Sequence, residues 1–344
     1  MLSAAGATHH LDARAVFPAY KAILRWPDGQ GCGGEIGCKT QYNARNYPYS
    51  PIHPTETIVP EQEPRGALLL IGGAEDKAGS RIILRRFVEL AGGSAARIAV
   101  IATASAFQEL VGRRYLSLFA ALGVAAVELI RIDERADAQQ AAPQAQLADA
   151  TGIFLTGGDQ LKLTAILGGT RVGEVLGRRH REGCVIGGTS AGASAVAEHM
   201  LAYGAPGMPP RKAMMQFAPG LGLIGGVVVD QHFGARIRAG RLITAIAHNP
   251  ALLGIGLDEN TAAEINAAGQ LTVYGSGAVT IIDGAELSYS DIHHIAEHAP
   301  LTVFGLRMHV LADRYHFDLH SRIPYRPTAA APHPEVGYLF GEGI

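Results

Sequence analysis

Seven short stretches of this chain are apolar at almost every position: "ALLLIGG" from residue 67, "RIAVIATAS" from 97, "AVELIRI" from 126, "GIFLTGG" from 152, "CVIGG" from 184, "GVVVDQH" from 226 and "LGIGLDE" from 253. A strand with one wet face alternates polar and apolar residues, so runs this uniform belong to strands covered on both sides. Between them lie segments of helical periodicity, such as "SRIILRRFVELAGG", "FQELVGRRYLSLFAALG" and "ARIRAGRLITAIAHN". "ADAQQAAPQAQLADA" reads as a helix interrupted by Pro143. Strand–helix–strand order of this kind specifies an α/β fold with a mostly parallel central sheet and helices on both faces. The later "TAAEINAAGQLTVYGSGAVTIIDG" changes to short strands with turn signals, which predicts antiparallel edge strands near the C-terminus.

The regular alternation begins near residue 66. Residues 1–64 differ: they contain Cys32, Cys38 and Trp26 and end in the Pro-rich "YSPIHPTETIVPEQEPRG", where repeated prolines oppose both helix and ladder. They read as an N-terminal extension with a linker, leaving 65–344 as a single catalytic domain. With 48% hydrophobic residues in 344, a core of that size is readily filled. A formal charge of −2 offers no nucleic-acid or anionic-membrane surface. Three cysteines, an odd number, suit a reducing compartment. The opening "MLSAAGATHHLDARAVF" has no continuous apolar core, and no run reaches the roughly 18 residues of a membrane span. The expectation is a cytoplasmic protein.

In such folds the functional loops lie at the carboxyl ends of the parallel strands. Three ends are glycine-rich or polar where the strand before was greasy: "TGGDQ", "GGTSAG" and "DQHFGARIR". Gly188-Thr189-Ser190-Ala191-Gly192 fits the G-x-S-x-G pattern of a nucleophile elbow. A sharp strand-to-helix turn projects the serine above the sheet, and only small neighbours clear it. The following helix start supplies N–H groups and a positive dipole end. The plainer reading is a small residue that lets a helix pack closely.

A serine needs a base. Of fourteen histidines, His232 alone directly follows an apolar strand, one expected in the same sheet as Ser190. Asp258 and Glu259 end the next strand, and adjacent strand residues point oppositely, so only one faces His232. Capping of the turn into "NTAAEI" is the alternative for both. Gly157-Gly158 lets a backbone amide approach a bound carbonyl as an oxyanion donor beside the Ala191 N–H. Neither this segment nor "GGAEDK" at 72–77 fits a nucleotide fingerprint. His294 and His298 have metal-pair spacing without "HExxH", and no metal is expected. Arg236, Arg238 and Arg241 make either a solvated face or a carboxylate clamp, and Asp230 offers a seat for a cation. Both signs side by side suit a zwitterionic or peptide-like ligand.

With "LLLIGGAEDK", "FLTGGDQ", "GGTSAGAS", "APGLGL", "DQHFGARIRAGRL" and "GIGLDENTA" in this order, the chain resembles the serine peptidase family of cyanophycinases and dipeptidase E, a relative of class I glutamine amidotransferases. The resemblance spans about residues 66–320. It implies an exopeptidase without cofactor that hydrolyses cyanophycin, a poly-aspartate carrying arginine on its side-chain carboxyls, to β-Asp-Arg dipeptides through an acyl-enzyme. It implies Ser190 as nucleophile and His232 as base, with Gln160, Asp230, Gln231, Arg236, Arg238 and Arg241 binding substrate. Dipeptidase E takes its acid from the loop after the elbow helix, but "YGAPGMPPRKAMMQF" has no carboxylate here. The orienting role therefore falls to Glu259, with Asp258 second. A homodimer is the expected assembly. An aspartyl dipeptidase and a non-catalytic cyanophycin-binding relative are the alternatives.

Overall fold

The computed structural model describes residues 65–327; the predicted extension and linker over 1–64, with Cys32 and Cys38, lie outside the described residues. In chain order the first half runs β1 (Leu68–Ile71), α1 (Ile82–Leu90), β2 (Arg97–Ile101), α2 (Gln108–Ala121), β3 (Ala126–Ile130), α3 (Ala141–Ala148), β4 (Gly152–Leu155), α4 (Gln160–Leu167), α5 (Arg171–Arg181), β5 (Val185–Thr189) and α6 (Ala191–Ala195). There follow β6 (His199–Gly204), β7 (Met215–Pro219), β8 (Val227–Gln231), α7 (Ala239–His248), β9 (Leu253–Leu257), β10 (Thr261–Ile265), β11 (Gln270–Gly275) and β12 (Val279–Asp283). The last strands are β13 (Tyr289–Ser290), β14 (Val303–Phe304), β15 (Arg307–Leu311), β16 (His316–Asp318) and β17 (Ile323–Tyr325).

The central sheet has nine strands in the order β17-β16-β11-β10-β1-β5-β4-β2-β3. Strands β1 to β5 pair in parallel, and β10, β11, β16 and β17 extend one edge antiparallel. Alternate side chains of the apolar runs enter different cores, as strand geometry requires. Leu69, Ile71, Ile98, Val100 and Phe154 pack under α1 and α2 with Phe87 and Phe119. Leu68, Leu70, Ala99, Ile101, Ile153 and Leu155 face the other way, toward Leu163, Leu167, Val172 and Leu176 of α4 and α5.

One expectation is corrected. Strands β8 and β9 do not join the central sheet; they pair in parallel within a separate four-stranded sheet, β15-β12-β9-β8. The reason is that β1 and β5 already have neighbours on both sides. The second sheet instead buries Val227, Val229, Ile255, Leu257 and Ile281 in the same core as Leu68 and Leu70. Its other face carries Val228 and Ile282 against Leu242 and Ile246 of α7. The helix predicted from Ala235 begins at Ala239, because residues 234–238 turn, with Ile237 at φ 51°. Pro143 lies in the first turn of α3, where its missing N–H breaks no helical bond; a short 3₁₀ turn at Asp137–Gln139 precedes it. Among the described residues no helix is long and apolar enough to cross a membrane.

Candidate active site

The elbow takes the strained form its sequence suggested. Ser190 follows β5 directly and sits at φ 53°, ψ −113°, a backbone region costly for any residue but glycine. Its small neighbours are a steric requirement: a Cβ on Gly192 would stand 2.3 Å from the Leu155 carbonyl oxygen. The helix that follows, α6, has only five residues. Its free N–H groups, rather than a long aligned dipole, are what it brings to the serine.

Ser190 Oγ lies 2.9 Å from Nε2 of His232. Nδ1 of His232 lies 2.6 Å from Oε1 of Glu259. A carboxylate on Nδ1 fixes the tautomer: Nδ1–H donates to Glu259, and Nε2 is left to accept the serine hydroxyl proton. Asp258 is used otherwise. Its Oδ1 accepts from the Gly234 N–H at 2.9 Å and its Oδ2 from the Ala278 N–H at 3.0 Å, so it ties two loops together. Burial pulls the His232 pKa below its usual value, with the Arg236 and Arg238 charges adding to it and Glu259 partly opposing. The imidazole is therefore neutral at pH 7, the form a base needs.

The three segments carrying these residues hang on the end of β1. The carbonyl of Ile71 accepts the Ser190 N–H at 2.9 Å, that of Gly72 the His232 N–H at 2.8 Å, and that of Gly73 the Asn260 N–H at 2.8 Å. Gly73, at φ 97°, also lies flat against the imidazole: a Cβ there would be 2.5 Å from Nε2. This stretch does not fit a nucleotide fingerprint, but a strand ending in two glycines does signal close backbone approach. Also missed was Glu75, which is buried. It accepts hydrogen bonds from Tyr115 Oη and, at 2.7 Å, from Oγ1 of Thr189, the residue before the nucleophile. A carboxylate in "GGAEDK" looks like any turn residue in sequence.

The remaining predicted residues divide into two groups. Gly158 (φ 147°) packs on the Ala104 carbonyl at the mouth of α4, and among the described residues neither its N–H nor that of Ala191 donates a hydrogen bond within the protein. Gln160 donates through Nε2 to the carbonyls of Leu201 and Ala202 at 3.1 and 2.8 Å. Asp230, wholly buried, accepts from Nε of Arg241 at 2.6 Å and from Nη1 of Arg238 at 3.2 Å. Arg238 also donates to Oε1 of Gln231 at 2.9 Å, and that atom lies 3.5 Å from Ser190 Oγ. Arg238 and Arg241 are 8% and 4% exposed, so these four residues form a closed network behind the serine rather than an open clamp with a separate cation seat. A buried ion pair already satisfied has little left for a ligand. Arg236 differs: it is exposed and, among the described residues, its side chain makes no hydrogen bond or ion pair. No cluster of three metal-ligating side chains occurs among the described residues.

Fold and site together define a serine peptidase on an α/β scaffold. The chain belongs to peptidase family S51, whose profile matches residues 68–273. It is 44% identical over 266 residues to the cyanophycinase of Trichormus variabilis, an overlap covering 76% of this chain and 89% of that one. It is 43% identical over 250 residues to the cyanophycinase of Synechococcus elongatus, covering 72% and 78%. A solved peptidase from an acI-B1 Actinobacterium has a similar fold, with a TM-score of 0.53 at 21% identity over 71% of this chain and 98% of that one.

Proposed function

We propose that this chain hydrolyses cyanophycin to β-Asp-Arg dipeptides as a serine exopeptidase. The observation that carries the reading is the unbroken line of contacts from Ser190 through His232 to Glu259. The family membership and the two cyanophycinase relatives support the substrate. His232 takes the Ser190 proton as Oγ attacks a backbone amide carbon of the poly-aspartate. The Ala191 and Gly158 N–H groups hold the oxyanion. The imidazolium then returns its proton to the departing amine, leaving an acyl-enzyme that water, activated by the same imidazole, resolves. Glu259 steadies the imidazolium throughout. Arg236 meets a substrate carboxylate directly, while Asp230, Arg238, Arg241 and Gln231 shape the wall beside the nucleophile and Gln160 pins β6 near it.

The activity resides, on this proposal, in one domain from residue 65 to 344; the core shared by the two sheets supports that. We include a cytoplasmic homodimer in the proposal. Edge strand β15 supports the dimer, exposing Met308 at 65% and Val310 at 61%, and sedimentation at micromolar concentration should give twice the chain mass. Glu259 on Nδ1 of His232, in place of the carboxylate absent from the loop after α6, supports a catalytic role over a merely binding one.

Incubating purified protein with insoluble cyanophycin should release β-Asp-Arg as the main soluble product, with little cleavage of free Asp-X dipeptides. Rapid hydrolysis of Asp-X dipeptides with the polymer left intact would instead favour an aspartyl dipeptidase.

A further inference from the structure

Beside Ser190, on the flank lined by neither His232, Gln231 nor Arg236, lies an open cavity of about 230 Å³. Glu75, Lys77, Arg114, Tyr115 and Gly157 contribute to its walls, together with the nucleophile. Its charges are unequal in availability. Both Glu75 oxygens are taken, one by Tyr115 Oη and by Lys77 Nζ at 2.7 Å, the other by Thr189 Oγ1. Lys77 is thereby neutralised as well, and its ammonium lies 5.4 Å from the centre of the Tyr115 ring. Arg114 remains. It is exposed on α2 and among the described residues its side chain makes no hydrogen bond or ion pair, so the cavity presents one uncompensated positive charge over an aromatic and aliphatic floor of Tyr115 and Val111.

A guanidinium would find the one carboxylate of the lining already taken, whereas a carboxylate would find a planar bidentate donor. The site proposed above, on the Arg236 flank, accounts for one unit of the polymer. Cutting a backbone amide requires a second unit on the opposite flank of the serine. We propose that this cavity receives the α-carboxylate end of the arginine branch of that second unit, gripped by Arg114, while the branch guanidinium extends out through the open mouth to solvent. The inference rests on the reading of the chain as a cyanophycin hydrolase and adds a substrate-binding residue to it.

The test uses the purified chain and a soluble two-unit β-Asp-Arg substrate. Two analogues accompany it, each with agmatine, which lacks the carboxylate, replacing arginine in one unit. Arg114→Ala should raise KM for the full substrate about tenfold with little change in kcat. The same variant should match the wild type on one of the two analogues, because that analogue has nothing for Arg114 to hold. An unchanged KM for Arg114→Ala, or an equal loss on the full substrate and both analogues, would overturn the assignment. Failure of the wild type to cleave the two-unit substrate or the polymer would remove the hydrolase reading and this inference with it. Wild-type cleavage with an indifferent Arg114→Ala would remove this inference alone.

Discussion

Ser190→Ala will reduce turnover of cyanophycin by a factor on the order of 10⁵ or more, since removing a nucleophile disables the whole relay and leaves only binding and oxyanion stabilisation. The substitution deletes one hydroxyl whose partner is His232 at 2.9 Å, so its effect on stability should be no more than about 1 kcal/mol. The strained backbone at φ 53° is no worse for alanine than for serine. A melting curve near that of the wild type, with polymer binding retained and dipeptide release absent, is the expected set of results. Undiminished release by this variant would end the case for the elbow.

The second large effect belongs to Glu259→Gln. An amide at this position cannot favour the Nδ1–H tautomer as a carboxylate does or stabilise the imidazolium, and a loss on the order of 10³- to 10⁴-fold in kcat follows. The pH profile separates this from mere disruption. His232 acts as base only when neutral, so kcat/KM is low below its pKa and rises through it. Because burial depresses that pKa, the acid limb of the wild type should fall below pH 6.5. Glu259 raises the pKa against that trend, so its replacement should move the residual limb further to acid. Asp258→Asn is the contrast. It disturbs the loop contacts to Gly234 and Ala278, so it should lower the melting temperature while the acid limb stays where it was. A shifted limb in Asp258→Asn and a fixed one in Glu259→Gln would exchange the two roles.

Much of this was legible in the chain itself. Runs with no polar alternation could only be buried strands, and the small residues on either side of Ser190 mark a turn too tight for anything larger. Which of Asp258 and Glu259 meets the imidazole was not legible in the residues, because strand alternation says only that they diverge. Nor was the division into two sheets. A doubly buried strand looks the same wherever it lies, and nothing in "GVVVDQH" says that its neighbour is β9 alone. The different settings of the arginines were hidden for a related reason. Three guanidiniums spaced after a histidine look alike in sequence, but Asp230 lies beneath two of them and leaves only Arg236 open. Glu75 was invisible because its importance comes from Thr189, more than a hundred positions away.

The three successive carbonyls of Ile71, Gly72 and Gly73 act as a ruler. The spacing between attacking oxygen and proton acceptor is set by consecutive peptide units where β1 ends, not by how two layers happen to settle on each other. Small slippage between the layers is therefore absorbed in the side-chain interior without detuning the reaction. The outer walls are left free to drift toward other polymers while the chemistry keeps its register.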